Sequence, residues 1–209
     1  MRCTSIRRLS RVIAFLVILS ALAMPSTTLA ASGDLANPTD EAIKLTRKVV
    51  ESDDPVAAYL DLSEQEQRAV DSVLGRPGQI TSTQTIIPLE PRKAVVPMAS
   101  GCWSRVNTKE SYSLGFFQWR ISQTLFWCGD GMIITYNNTD QEAYTVQTGT
   151  LWNFAGIVSK SVIGANGWGT IRIDRQAHFQ YCPPIIGCVQ NAFPVVAQQG
   201  SGDGSYWQN

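Results

Sequence analysis

With 209 residues the chain has room for one or two small domains. Its 17 basic and 17 acidic side chains cancel and no Lys/Arg tract is present, which excludes the electrostatic footprint of a nucleic-acid binder. A hydrophobic content of 44% with abundant aromatics excludes wholesale disorder.

Arg2, Arg7, Arg8 and Arg11 open the chain, followed by an apolar run from Val12 to Met24 and a stretch ending in Thr28, Leu29 and Ala30. Basic, apolar and cleavable regions in that order predict a secretory signal peptide over residues 1–30. The apolar run is well short of the roughly 20 residues a spanning helix needs. A secreted, extracellular protein is therefore expected, with no membrane association once the peptide is cut. Cleavage after Ala30 removes four Arg and Cys3, leaving a net charge of −4 and four cysteines, Cys102, Cys128, Cys182 and Cys188. An even count in an exported chain reads as two disulfides, for which three pairings are open. No spacing is C-x-x-C and His178 is the sole histidine, so neither a metal site nor a cofactor is expected.

Residues 31–77 read as a helical segment. Thr39 precedes a run with Ala42, Leu45 and Val49 on one face, and Asp54-Pro55 offers a cap followed by a first-turn proline. Ser63 and Glu66 have the spacing of a capping box, and behind them Ala69, Val70, Val73 and Leu74 form an apolar stripe that Gly75 and Pro77 stop. Residues 78–100 are rich in Thr and Ser and broken by Pro88, Pro91 and Pro97, the composition of a linker. Within it Arg92-Lys93 is a candidate processing site for a trypsin-like protease, the alternative being an ordinary solvated charge pair.

From residue 101 to 209 the pattern switches to period two. All six Trp fall here, while Tyr59 is the single aromatic between residues 31 and 100. Phe117, Trp119, Ile121, Leu125 and Trp127 alternate with polar residues, Gly129-Asp130-Gly131 signals a hairpin, and Met132–Tyr136 returns. Further strands are predicted over 142–148, from Trp152, and from Thr170 to Tyr181, where only Arg175 breaks the apolar face. Pro194 limits any strand over 189–196 to a short or edge piece, and the tail from Gln198 is expected to fray. These spacings predict a mainly β chain, an antiparallel β-sandwich or small barrel preceded by a short helical segment. The disulfide-bonded β-domain is expected to fold without that segment. Pairing Cys102 with Cys128 and Cys182 with Cys188 would contribute about 3.5 and 2.5 kcal/mol by chain entropy.

Chemistry is sparse. His178 lies on the polar face of its strand with Asp174 about 13 Å away along it, too far for contact. Glu142 and Asp174 are the strand acids a carboxylate-based hydrolase would need. Trp119 and Trp127 follow the core register. Trp103, beside Cys102, Trp168, in a Gly-rich turn, and Trp207, in the tail, are the candidates for exposure, and Trp103 and Trp168 are the candidate binding residues.

From Gly101-Cys102-Trp103, through Trp127-Cys128-Gly129-Asp130-Gly131, to His178-Phe179, Tyr181-Cys182 and Cys188-Val189-Gln190, the C-terminal half resembles uncharacterised exported, disulfide-containing β-proteins of actinobacteria. The resemblance implies export and disulfides but no activity. The functional expectation is a monomeric, non-enzymatic module binding an extracellular glycan or protein. The alternatives are a secreted toxin or bacteriocin-like effector whose helical segment is a removable pro-region, and third, a hydrolase.

Overall fold

A helix needs acceptors for the free amides of its first turn, and each of the three helices among the described residues has them. In the computed structural model, which describes residues 37–87, 100–139, 141 and 143–209, Thr39 caps α1 (Asp40–Val50), Asp54 caps α2 (Pro55–Leu60), and Ser63 with Glu66 closes the expected capping box on α3 (Glu64–Leu74). The expected signal peptide and the Arg92-Lys93 pair lie outside the described residues.

Ten strands follow among the described residues: β1 (Gln79–Ile86), β2 (Gly101–Ser113), β3 (Phe116–Gly129), β4 (Ile134–Asn137), β5 (Tyr144–Thr148), β6 (Trp152–Ile163), β7 (Thr170–Tyr181), β8 (Gln190–Ala192), β9 (Val195–Ser201) and β10 (Tyr206–Gln208). They form two antiparallel sheets. One has the order β1-β2-β3-β4 with β5 also on β3, and the other the order β10-β9-β7-β6 with β8 also on β7. The chain is thus mainly β, as the alternation predicts.

Three expectations are corrected. Residues 79–86 are strand, not linker: the stretch is rich in Ile and Thr, which favour strands, and it pairs with β2 along its whole length. The tail does not fray, because β9 lies beside the central β7 and Gln198 is fully buried. Gly200 is glycine for a packing reason there, since a Cβ would come within 2.5 Å of the Trp127 ring. Finally, Phe117 turns away from the core. A bulge between β2 and β3 skips Gln118 in the pairing, so Gln118 and Trp119 are both buried and Phe117 packs outside against Tyr112.

Two apolar clusters fill the sandwich. The larger joins Val49, Tyr59, Val70, Val73 and Leu74 of the helices to Trp119, Trp152, Phe179 and Tyr181 of both sheets. The smaller gathers Leu125, Trp127, Ile134, Ile171 and Ile173 near the opposite strand ends. A buried polar layer built from Asn107, Gln123, Arg175 and Gln198 accompanies them. Gln198 donates to the Gln123 carbonyl (2.7 Å), Arg175 Nε donates to Gln123 Oε1 (3.2 Å), and the Arg175 guanidinium lies over the Tyr144 ring at 4.2 Å. Arg175 breaks the apolar register because it faces inward into this layer.

Side chains of the sandwich hold α3 by its end. The carbonyls left open at a helix C-terminus need donors. Ser113 donates to the Val73 carbonyl (2.7 Å), and Gln118 (2.9 Å) and the Trp152 indole (3.1 Å) donate to that of Leu74. Asp71 accepts from the hydroxyls of Tyr59 (3.1 Å) and Tyr181 (2.8 Å). Burial raises the Asp71 carboxyl above its ordinary range against the opposing pull of those two hydroxyls. Among the described residues, helices and sheets therefore share one core within one compact unit, which crosses the boundary expected near residue 100.

Cys102 is bonded to Cys128, directly opposite it across β2 and β3, and Cys182 to Cys188. No helix among the described residues is long and apolar enough to cross a membrane.

Candidate binding surface at the loop end

Three loops meet at the strand ends farthest from the helices: residues 130–133 between β3 and β4, 164–169 between β6 and β7, and 202–205 between β9 and β10. Their backbones bind one another. The Gly131 amide donates to the Gly202 carbonyl (3.0 Å), Gly202 to Gly169 (2.9 Å), Ile134 to Trp168 (2.7 Å) and Gly167 to Ile134 (2.7 Å). Such close approach requires glycine: a Cβ on Gly129 would sit 2.2 Å from the Gly202 carbonyl oxygen. The cross-linked loops rest on an aromatic stack in which the Trp127 ring lies 5.7 Å from Trp103 and 5.9 Å from Tyr206.

This scaffold displays apolar side chains to solvent. Trp168 is 60% exposed and Met132 82% exposed, with Ile133, next to Met132 in sequence, at 38%. Of the two tryptophans singled out from the sequence, Trp168 is the outward one. Trp103 is half-buried, packed over Gly204, where an added Cβ would meet its indole at 2.4 Å. Trp207 is partly exposed and lies against Arg172, whose guanidinium is 5.0 Å from the ring.

The charge of the loops is negative. Asp130 accepts from the amides of Ile133 and Met132 (both 2.9 Å), which hold its carboxyl below the usual range, and Asp203 is held down likewise by the Ser205 amide (2.9 Å). The three loops contain no Lys or Arg. The loop end thus combines exposed apolar side chains with two carboxylates on a braced frame.

His178 and Asp174 are engaged by separate partners. His178 bonds through Nε2 to Asn191 (2.7 Å) and stacks on Phe193 at 4.5 Å, whereas Asp174 is engaged by Arg172 (2.9 Å). Glu142 lies outside the described residues. Among the described residues there is no group of three or more His, Cys, Asp and Glu placed to hold a metal ion. An open cavity of about 180 Å³ lies beside Gly78, Ser111, Gln118 and Trp152. Two of its polar side chains are engaged within the fold, Ser111 with Gln118 (2.7 Å) and Gln118 with the end of α3.

Sequence reasoning missed Met132 and Ile133, which it assigned to a strand. The available signal is Asp130, whose carboxylate binds the next two free amides and so extends the turn to Ile133. The chain matches no protein-family model, no curated protein and no solved structure.

Proposed function

We propose that the protein is a secreted, non-enzymatic binding module that recognises an extracellular partner through its glycine-rich loop end. The observation that carries this reading is the exposure of Trp168 and Met132 on loops braced by their own backbone hydrogen bonds. Rigid display lowers the ordering cost of binding, and exposed Trp and Met are the side chains that carry contact energy at interfaces. The methionine and isoleucine beside the tryptophan favour a protein surface over a sugar ring, and Asp130 and Asp203 favour basic groups at its rim. Export rests on the N-terminal leader pattern, the two disulfides and the resemblance to exported actinobacterial β-proteins. The core shared by helices and sheets weighs against a removable pro-region.

Screening the secreted protein against extracellular proteins and a glycan array, with Trp168→Ala and Met132→Ala in parallel, tests the proposal. Either substitution should weaken binding about tenfold or more while the melting temperature holds. Binding that survives the double substitution would reject the loop end as the site. Sequencing the N-terminus of the secreted form should read from Ala31. A start at Ala94 would replace this reading with that of a processed effector.

A further inference from the structure

The two long sheet edges are treated differently. β6 carries the devices that blunt an edge: two register irregularities, Gly156 at φ +122° and Lys160. β1 carries none. Its eight residues, Gln79 to Ile86, include no charge, proline or glycine, its register with β2 is unbroken, and every residue is exposed. Among the described residues nothing pairs with its outer side.

The parity of that edge follows from one bond. The Ile87 amide donates to the Ser104 carbonyl (3.2 Å), continuing the β1 to β2 register, in which Ile86 faces Arg105. Antiparallel ladders alternate, so the odd residues of β1 turn their amides and carbonyls toward β2. Those of Ile80, Ser82, Gln84 and Ile86 point outward.

The edge is also nearly palindromic. Ile80-Thr81-Ser82-Thr83-Gln84-Thr85-Ile86 reads the same backwards apart from the exchange of Ser82 and Gln84. We infer that β1 pairs antiparallel with β1 of a second copy of this chain across a two-fold axis at Thr83, joining two five-stranded sheets into one. In this register Ile80 faces Ile86 of the second copy and Ser82 faces Gln84, so all the outward groups meet outward groups. Thr81 faces Thr85 and Thr83 faces itself. A slip of one residue would set outward groups against inward ones. Ile80 and Ile86, each 59% exposed, lie on the same sheet face as the buried Asn107 and Ser111, where the second sheet leaves them uncovered. Pairing sets one against the other. Self-complementarity of this kind is what an isologous interface requires, and it replaces the monomer expected above.

The test uses the oxidised, secreted protein. Light scattering over a dilution series should show a dimer. Thr83→Lys, which sets like charges across the axis at an exposed position, should raise the dissociation constant about tenfold or more. Thr83→Cys should give a covalent dimer on mild oxidation, since non-hydrogen-bonded opposite residues have Cα atoms about 4.5 Å apart, whereas Thr81→Cys should not. The amides of Ile80, Ser82, Gln84 and Ile86 should gain exchange protection as concentration rises. A monomer at all concentrations would overturn the inference, as would a dimer indifferent to Thr83→Lys that fails to cross-link through Thr83→Cys. Protection of the four amides independent of concentration would also overturn it, by showing that a segment of the same chain covers the edge.

Discussion

The two ends of the sandwich solve the problem of a strand terminus in opposite ways. At one end three helices cover the sheets, and the open carbonyls of α3 are satisfied by Ser113, Gln118 and Trp152. At the other end no helix among the described residues covers the strands; the loops bind one another through backbone groups, and Cys102–Cys128 ties two strands beneath them. The helical end spends its apolar side chains on the core, so Val70, Val73 and Leu74 are fully buried, while the loop end leaves Met132 and Trp168 in solvent. A small domain cannot use the same apolar surface for both purposes. Buried apolar surface is concentrated at the first end, and exposed apolar surface on braced loops at the second.

The contrast can be broken outright. A chain begun at Ala94 lacks α1, α2, α3 and β1, and uncovers Trp119, Trp152, Phe179 and Tyr181. It should aggregate or lose its cooperative melt, followed by size exclusion and near-ultraviolet circular dichroism, and a soluble, cooperatively melting product would show that the sheets fold without the helices. Leu74→Ala leaves a cavity among those rings and should cost about 2–5 kcal/mol in urea unfolding. At the opposite end, replacing Cys102 and Cys128 together by Ala should cost about 3.5 kcal/mol. Trp168→Ala, in contrast, should stay within about 0.5 kcal/mol, because its ring is largely in water. A larger loss would mean that the loop end is structural and not a display surface.

The buried carboxyl sharpens the comparison through pH. Burial raises Asp71 in the folded state, so the fold binds its proton more tightly than the unfolded chain does. Its contribution to stability is full below the unfolded value, near 3.8, and is lost as pH rises through the raised one. The stability of the wild type relative to Asp71→Asn should therefore fall as pH increases across that window. No such change is expected against Asp130→Asn, whose carboxyl is lowered: there the wild-type advantage should be present above the unfolded value and vanish in acid.

Local signals in the chain were sufficient for the helices and most strands. Thr39, Asp54 and the Ser63–Glu66 pair mark helix starts because capping is a matter of a few neighbouring residues, and the alternation from Thr170 to Tyr181 states which side chains of β7 face inward. Trp168 could be named as a binding candidate from its glycine-rich surroundings alone. What the sequence could not convey was set by contacts between distant segments. The bulge that turns Phe117 outward depends on how β2 meets β3, and the burial of Gln198 depends on β9 lying beside β7. Arg175 looked like a flaw in an apolar face until Gln123 and Tyr144 came to lie around it. Residues 79–86 had a linker's composition, yet Thr and Ile become strand once β2 offers a ladder. Sequence alone determined the elements and the inward face of most strands, because caps and periodicity act over a few residues. Tertiary structure decided that the helices belong to the core and which tryptophan stays in solvent, because burial depends on what arrives from elsewhere in the chain.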